Sequence, residues 1–161
     1  MIVLVGMLIY LPFLHLSIEP SDDSWLLLID GRRVDVAGYV SQQLTTLTRR
    51  CDQVEIVLPS DPVHAQALNT IRQYSPPDSF TAQLLQLSRQ HEWLLAQVKF
   101  DRLQDAVVLL TQSSNEIIIP TGGIWSGPTH PHRPEPLIRR FIRGSVPSVP
   151  EQLMRCFDNA L

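Results

Sequence analysis

The first eighteen residues, MIVLVGMLIYLPFLHLSI, carry no charged side chain and are apolar at most positions. As a helix rising 1.5 Å per residue they would span roughly 27 Å, close to the hydrocarbon thickness of a bilayer. Three readings compete for this run. One is a core helix or strand of a soluble protein, but a soluble helix should show a polar face, and none occurs before Glu19. A cleavable signal should show a basic start and small residues at a cleavage point, and neither is present. An uncleaved membrane helix over residues 1–18 fits best, since Pro12 is tolerable inside a membrane span. Residues 19–24 follow as an acidic linker.

The rest, 25–161, reads as one mixed domain with two parts. In 25–75 the expected order is β(β)αβα. The WLLLI of residues 25–29 predicts a strand, Asp30-Gly31 a tight hairpin turn, and 32–36 a short returning strand. Val40, Leu44 and Leu47 then recur at helical spacing within 37–50. Residues 54–58, VEIVL, predict the next strand. Pro59-Ser60-Asp61-Pro62 ends that strand and starts a helix to Tyr74, with Ser60 or Asp61 as its cap.

In 76–161 the expected order is αβββαα. The prolines near 76 break the chain, and Phe80, Leu84, Leu85 and Leu87 predict a helix over 80–90. Alternation across 93–100, a continuous apolar run at 106–111 and the stretch 117–119 predict three strands. Their short connections suit an antiparallel meander. The segment SGPTHPHRPEP, 126–136, holds too many prolines for a regular element. A short helix over 137–143 follows, ended by Gly144. Ser148 and Glu151 have the spacing of a capping box for a last helix to about Phe157. Consecutive strands without intervening helices make the fold class α+β rather than a doubly wound sheet.

Charge sharpens this picture locally. The 161 residues hold 13 bases and 16 acids, a net −3, so no global basic field recruits nucleic acid. The first 31 residues contain four acids and no base. An Arg-rich stretch compensates downstream, where Arg133, Arg139, Arg140 and Arg143 face only Glu135. With Trp125 just before it, this stretch is the best candidate binding surface for an acidic partner or anionic headgroups.

Other constellations carry less. His130 and His132 sit two apart and project to one side of an extended segment, but no further ligand lies at a diagnostic metal spacing. Ser126 follows Gly123 in the wrong register for a nucleophile elbow, and Thr121-Gly122-Gly123 lacks the Lys and helix of a phosphate loop. No cofactor motif is present. The two cysteines, Cys51 and Cys156, are not a metal-type pair. In an exported body they would form one disulfide closing a loop of 104 residues. The chain-entropy model values such a closure at up to about 4.7 kcal/mol.

The apolar run, the strand-Asp-Gly-strand at 25–36, the helix at 37–50 and VEIVL before Ser60-Asp61 together resemble the membrane-anchored energy-coupling proteins of the bacterial TolR and ExbD type. The likeness covers at most residues 1–75. It implies one membrane helix followed by a small exported α/β domain. Residues 1–18 lack the acid that couples protons in that family's helix, so no proton-channel role carries over.

These features favour a membrane-anchored or exported interaction domain with a protein partner, periplasmic or extracellular, and no evident catalytic chemistry. Two alternatives stand beside it. One is a small soluble enzyme using His130, His132 and Arg133. The other is a cytoplasmic ligand-binding domain with an apolar cavity between the last sheet and helix 80–90.

Overall fold

The computed structural model describes residues 16–20, 25–34, 36–114, 116–127 and 135–157. They form two antiparallel sheets with α-helices, a mixed α+β architecture. The chain divides into two compact units, Met1–Arg49 and Arg50–Leu161. This division differs from the expected single domain over 25–161. The strand near 55 and the helix beginning at Pro62 belong to the second unit, because their hydrogen-bond and packing partners lie downstream.

In the first unit, β1 (Leu16–Pro20), β2 (Trp25–Ile29) and β3 (Arg32–Val34) make an antiparallel sheet in that order. Asp30 and Gly31 both have positive φ, 51° and 76°, and they join Ile29 directly to its partner Arg32. Positive φ at both central positions is what a two-residue hairpin with matching twist requires, and Asp and Gly are among the residues that adopt it. Helix α1 (Val36–Thr48) follows.

The expected membrane helix needs correction at its end. Residues 16–18 are strand, with Leu16, Ser17 and Ile18 opposite Ile29, Leu28 and Leu27. Glu19 and Pro20, expected in a linker, continue the same strand. Pairing with β2 supplies these backbone groups with partners that a membrane helix would have supplied internally. Residues 1–15, the rest of the expected membrane helix, lie outside the described residues. No described helix is long and apolar enough to cross a membrane.

The second unit is built on a sheet ordered β4-β5-β6-β7-β8, with β9 also on β7. These strands are β4 (Glu55–Ile56), β5 (Gln83–Gln90), β6 (Trp93–Lys99), β7 (Ala106–Ser113), β8 (Glu116–Ile118) and β9 (Ile124–Ser126). The expected meander is present as β6, β7 and β8, each antiparallel to the last. Helix α2 (Pro62–Tyr74) starts where its sequence predicts: Pro62 occupies the first turn, and the Val63 N–H donates to Asp61 Oδ1 at 2.8 Å. Helices α3 (Glu135–Ser145) and α4 (Glu151–Arg155) complete the unit. Gly144 lies inside α3 rather than beyond it. The expected capping box at Ser148 is not formed, and Pro150 caps α4 without a side-chain bond.

The expected helix over 80–90 is instead a single 3-10 turn at Asp78–Thr81 followed by strand β5. The strand register accounts for the helix-like spacing of its leucines. A bulge between Leu84 and Gln86 shifts the register, so Leu84 pairs with Val98 and Leu87 with Ala96. Two leucines three residues apart therefore share one face of the sheet, imitating helical spacing.

Helices cover both faces of this sheet. Leu94, Ala96, Val98, Ala106, Val108 and Leu110 point towards α2 and join Ala67 and Ile71 in one core. Leu95, Val107 and Leu109 point the other way, against Ile138 and Ile142 of α3 and Leu153 and Met154 of α4. Alternate side chains thus enter different cores, which makes Ala106–Leu110 an uninterrupted buried run.

The ends of this unit are fastened together. Cys51 and Cys156 are disulfide-bonded with their Cα atoms 5.8 Å apart. Beside the bond, the Gln152 amide donates to the Arg50 carbonyl and accepts from Gln90 Nε2 at 3.2 Å. Helix α4 is only five residues long, too short to persist alone, so these ties and its buried Leu153 and Met154 hold it.

Candidate functional site

The structure distributes the residues of the expected Arg-rich surface among different tasks. Trp125, on β9, is half-buried and packs against the core shared by α3 and α4. Arg139 is half-buried, and its Nη2 donates to the Phe157 carbonyl at 2.8 Å, tying α3 to the chain after α4. Arg143 is exposed and lies 3.6 Å from Glu151, which also holds Arg155 at 2.7 Å. Arg140 is exposed on α3. His130, His132 and Arg133 lie outside the described residues. Of the apolar side chains of α3, Ile138 and Ile142 are buried while Leu137 and Phe141 are exposed. The described part of the patch therefore stitches two helices together as much as it presents charge.

Metal chemistry finds no assembled donor set among the described residues, where no three His, Cys, Asp or Glu side chains gather. His64 lies in α2 and His91 in the turn between β5 and β6, on separate elements. Ser126 is an exposed strand residue.

The glycines before β9 have a purely structural use. Gly122 has φ +78°, and a Cβ there would lie 2.7 Å from Ser145 Cβ. Gly123 sits so close to neighbouring backbone that a Cβ would meet the Pro120 and Leu109 carbonyl oxygens at 2.9 and 3.0 Å. Its own carbonyl accepts from the Leu109 N–H at 2.7 Å. This is how the chain leaves β8 and returns to the same strand as β9. Gly122→Ala is expected to destabilise the second unit by about 1–3 kcal/mol, from left-handed strain plus overpacking. Adding Ser145→Gly should recover the overpacking part, as read from urea unfolding of the two variants.

Two concave features remain, and neither was anticipated where it lies. The first is an apolar cavity of about 360 Å³ beneath the C-terminal turn of α2. Ile71, Ala106 and Val108 are its buried inner wall. Tyr74 and Leu103 line it too, and they are 62% and 41% exposed, which marks its mouth. The Ser79 hydroxyl on its wall is already engaged, donating to the Arg72 carbonyl at 2.6 Å and accepting from the Ser75 N–H at 3.2 Å.

No family model, curated protein or solved structure matches this chain. The resemblance seen in residues 1–75 is accordingly carried no further.

The second concave feature is a groove of about 490 Å³ between α2 and β8. One side presents the uncharged polar side chains of Gln66, Asn69 and Gln73, and the other the backbone and side chains of β8. Thr70 Oγ1 bridges the two elements by bonding the Ile117 carbonyl at 3.1 Å. Tyr74 and Ile119 line both groove and cavity, so the two adjoin. The expected cavity against a helix at 80–90 does not exist, because that segment is strand. The observed one uses α2 instead. Its walls come from three separated segments around 71–79, 100–108 and 119–126, which no local spacing connects.

Proposed function

We propose that the chain works outside the reducing cytoplasm as a disulfide-clasped interaction domain, exported or tethered through its apolar N-terminal run. The observation that carries this reading is the Cys51–Cys156 disulfide. Such bonds persist in oxidising compartments and are rare where glutathione and thioredoxin keep thiols reduced. The uncharged residues 1–15 support the same compartment, since they supply the apolar segment that export or tethering needs. A protein partner is supported by the first unit, whose α1 leaves Tyr39, Val40, Leu44 and Leu47 exposed.

Fractionation of the producing cells tests this reading. The chain should be found in the membrane or exported fraction, with both cysteines blocked to alkylation until a reductant is added. Recovery in the cytoplasmic fraction with two alkylatable thiols would overturn it.

A further inference from the structure

We propose that the adjoining cavity and groove of the second unit together form a binding site for a small neutral amphiphile. Its apolar part enters the cavity, and its hydroxyl- or amide-bearing head lies along α2 and β8. Three observations select this ligand class. The cavity has the size of small-molecule sites and is walled mainly by Ile71, Phe100, Leu103, Ala106 and Val108. No charged side chain lines it among the described residues, so an ionised group entering would lose its water without a partner.

The adjoining groove supplies the complementary chemistry. Gln66, Asn69 and Gln73 recur at 0, 3 and 7 on one side of α2, and each side-chain amide both donates and accepts hydrogen bonds. Sugar hydroxyls and amides match such groups, whereas a carboxylate or sulfate head finds no lining cation there among the described residues. Glu116 is the only charged lining residue among them, and it would repel an anion. Tyr74, shared by both parts, sits where the apolar portion gives way to the head.

Binding to the full chain is measured with two probes. The neutral fluorophore N-phenyl-1-naphthylamine reports the cavity alone. Octyl glucoside, used below its micelle concentration, reports cavity and groove together by displacing the fluorophore. Saturable one-to-one fluorophore binding is expected, with octyl glucoside displacing it at lower concentration than sodium octanoate.

Ala106→Leu fills the cavity and should weaken both probes by about tenfold, the scale of losing one or two buried methylene contacts. Leu103→Asp, at the mouth where the side chain is 41% exposed, should do the same, its urea midpoint separating a loss of binding from a loss of folding. Asn69→Ala with Gln73→Ala should weaken octyl glucoside and leave the fluorophore unchanged. Failure to see saturable binding, or fluorophore binding unaltered in Leu103→Asp, would overturn the site. An octanoate affinity equal to that of octyl glucoside, or a head-group pair of mutations without effect, would overturn the ligand class. None of these outcomes depends on the compartment.

Discussion

Replacing Cys51 and Cys156 together by serine is expected to destabilise the second unit by about 2–5 kcal/mol, the range seen when long-loop disulfides are removed. The bond joins residues 105 apart, near the first and last positions of Arg50–Leu161. Its loss therefore frees almost the whole unit in the unfolded state. The folded state suffers locally: α4 keeps its buried Leu153 and Met154, but the Gln152 bonds to Arg50 and Gln90 must then hold the terminus without a covalent tie. Urea unfolding gives the check. The midpoint of the wild type should fall on adding reductant to that of the double variant, and the double variant should not respond to reductant at all. Each single replacement should cost nearly as much as both, because either one removes the same bond. A wild-type midpoint indifferent to reductant would show that the clasp contributes nothing.

Much of this fold is legible in the sequence, and the legible parts share a cause. Asp30-Gly31 specifies its turn through backbone conformation, and Asp61-Pro62 specifies a helix start through one hydrogen bond and a fixed φ. Each depends on neighbours in the chain and not on tertiary partners. The alternation of β6 and the apolar run of β7 are equally local, so the meander is readable too.

The illegible parts depend on pairing or on distant contacts. Leu84 and Leu87 share a face only because β5 is bulged against β6, and a bulge leaves no signature in composition. Residues 16–18 continue an apolar run whose length suggests a helix, yet β2 recruits them as an edge strand. The Arg-rich stretch is visible as charge, but whether each arginine meets solvent or a carbonyl is decided by how α3 and α4 pack. Arg139 reaches Phe157, eighteen residues away, and no pattern announces that. The cavity is the extreme case, assembled from three segments whose only common property is that the sheet brings them under one end of α2.

Truncating either of two consecutive leucines, Leu109→Ala or Leu110→Ala, is expected to cost about 2–5 kcal/mol, the usual loss for removing a fully buried leucine side chain. Both side chains are completely buried, yet they enter different cores. Leu109 faces Leu95 across the strand pair and meets α3 and α4, while Leu110 faces Leu94 in the core beneath α2. In an antiparallel sheet with one solvated face, neighbouring residues alternate between costly and cheap, and one of the two truncations would be nearly silent. Equal and large losses are thus a signature of helices on both faces. Leu85→Ala supplies the internal control: that leucine is 45% exposed beside the bulge and should cost about half as much, in proportion to the smaller apolar area withdrawn from water. Urea midpoints for the three variants decide between the arrangements. A silent Leu109→Ala would remove α3 and α4 from the second face, and a silent Leu110→Ala would remove α2 from the first.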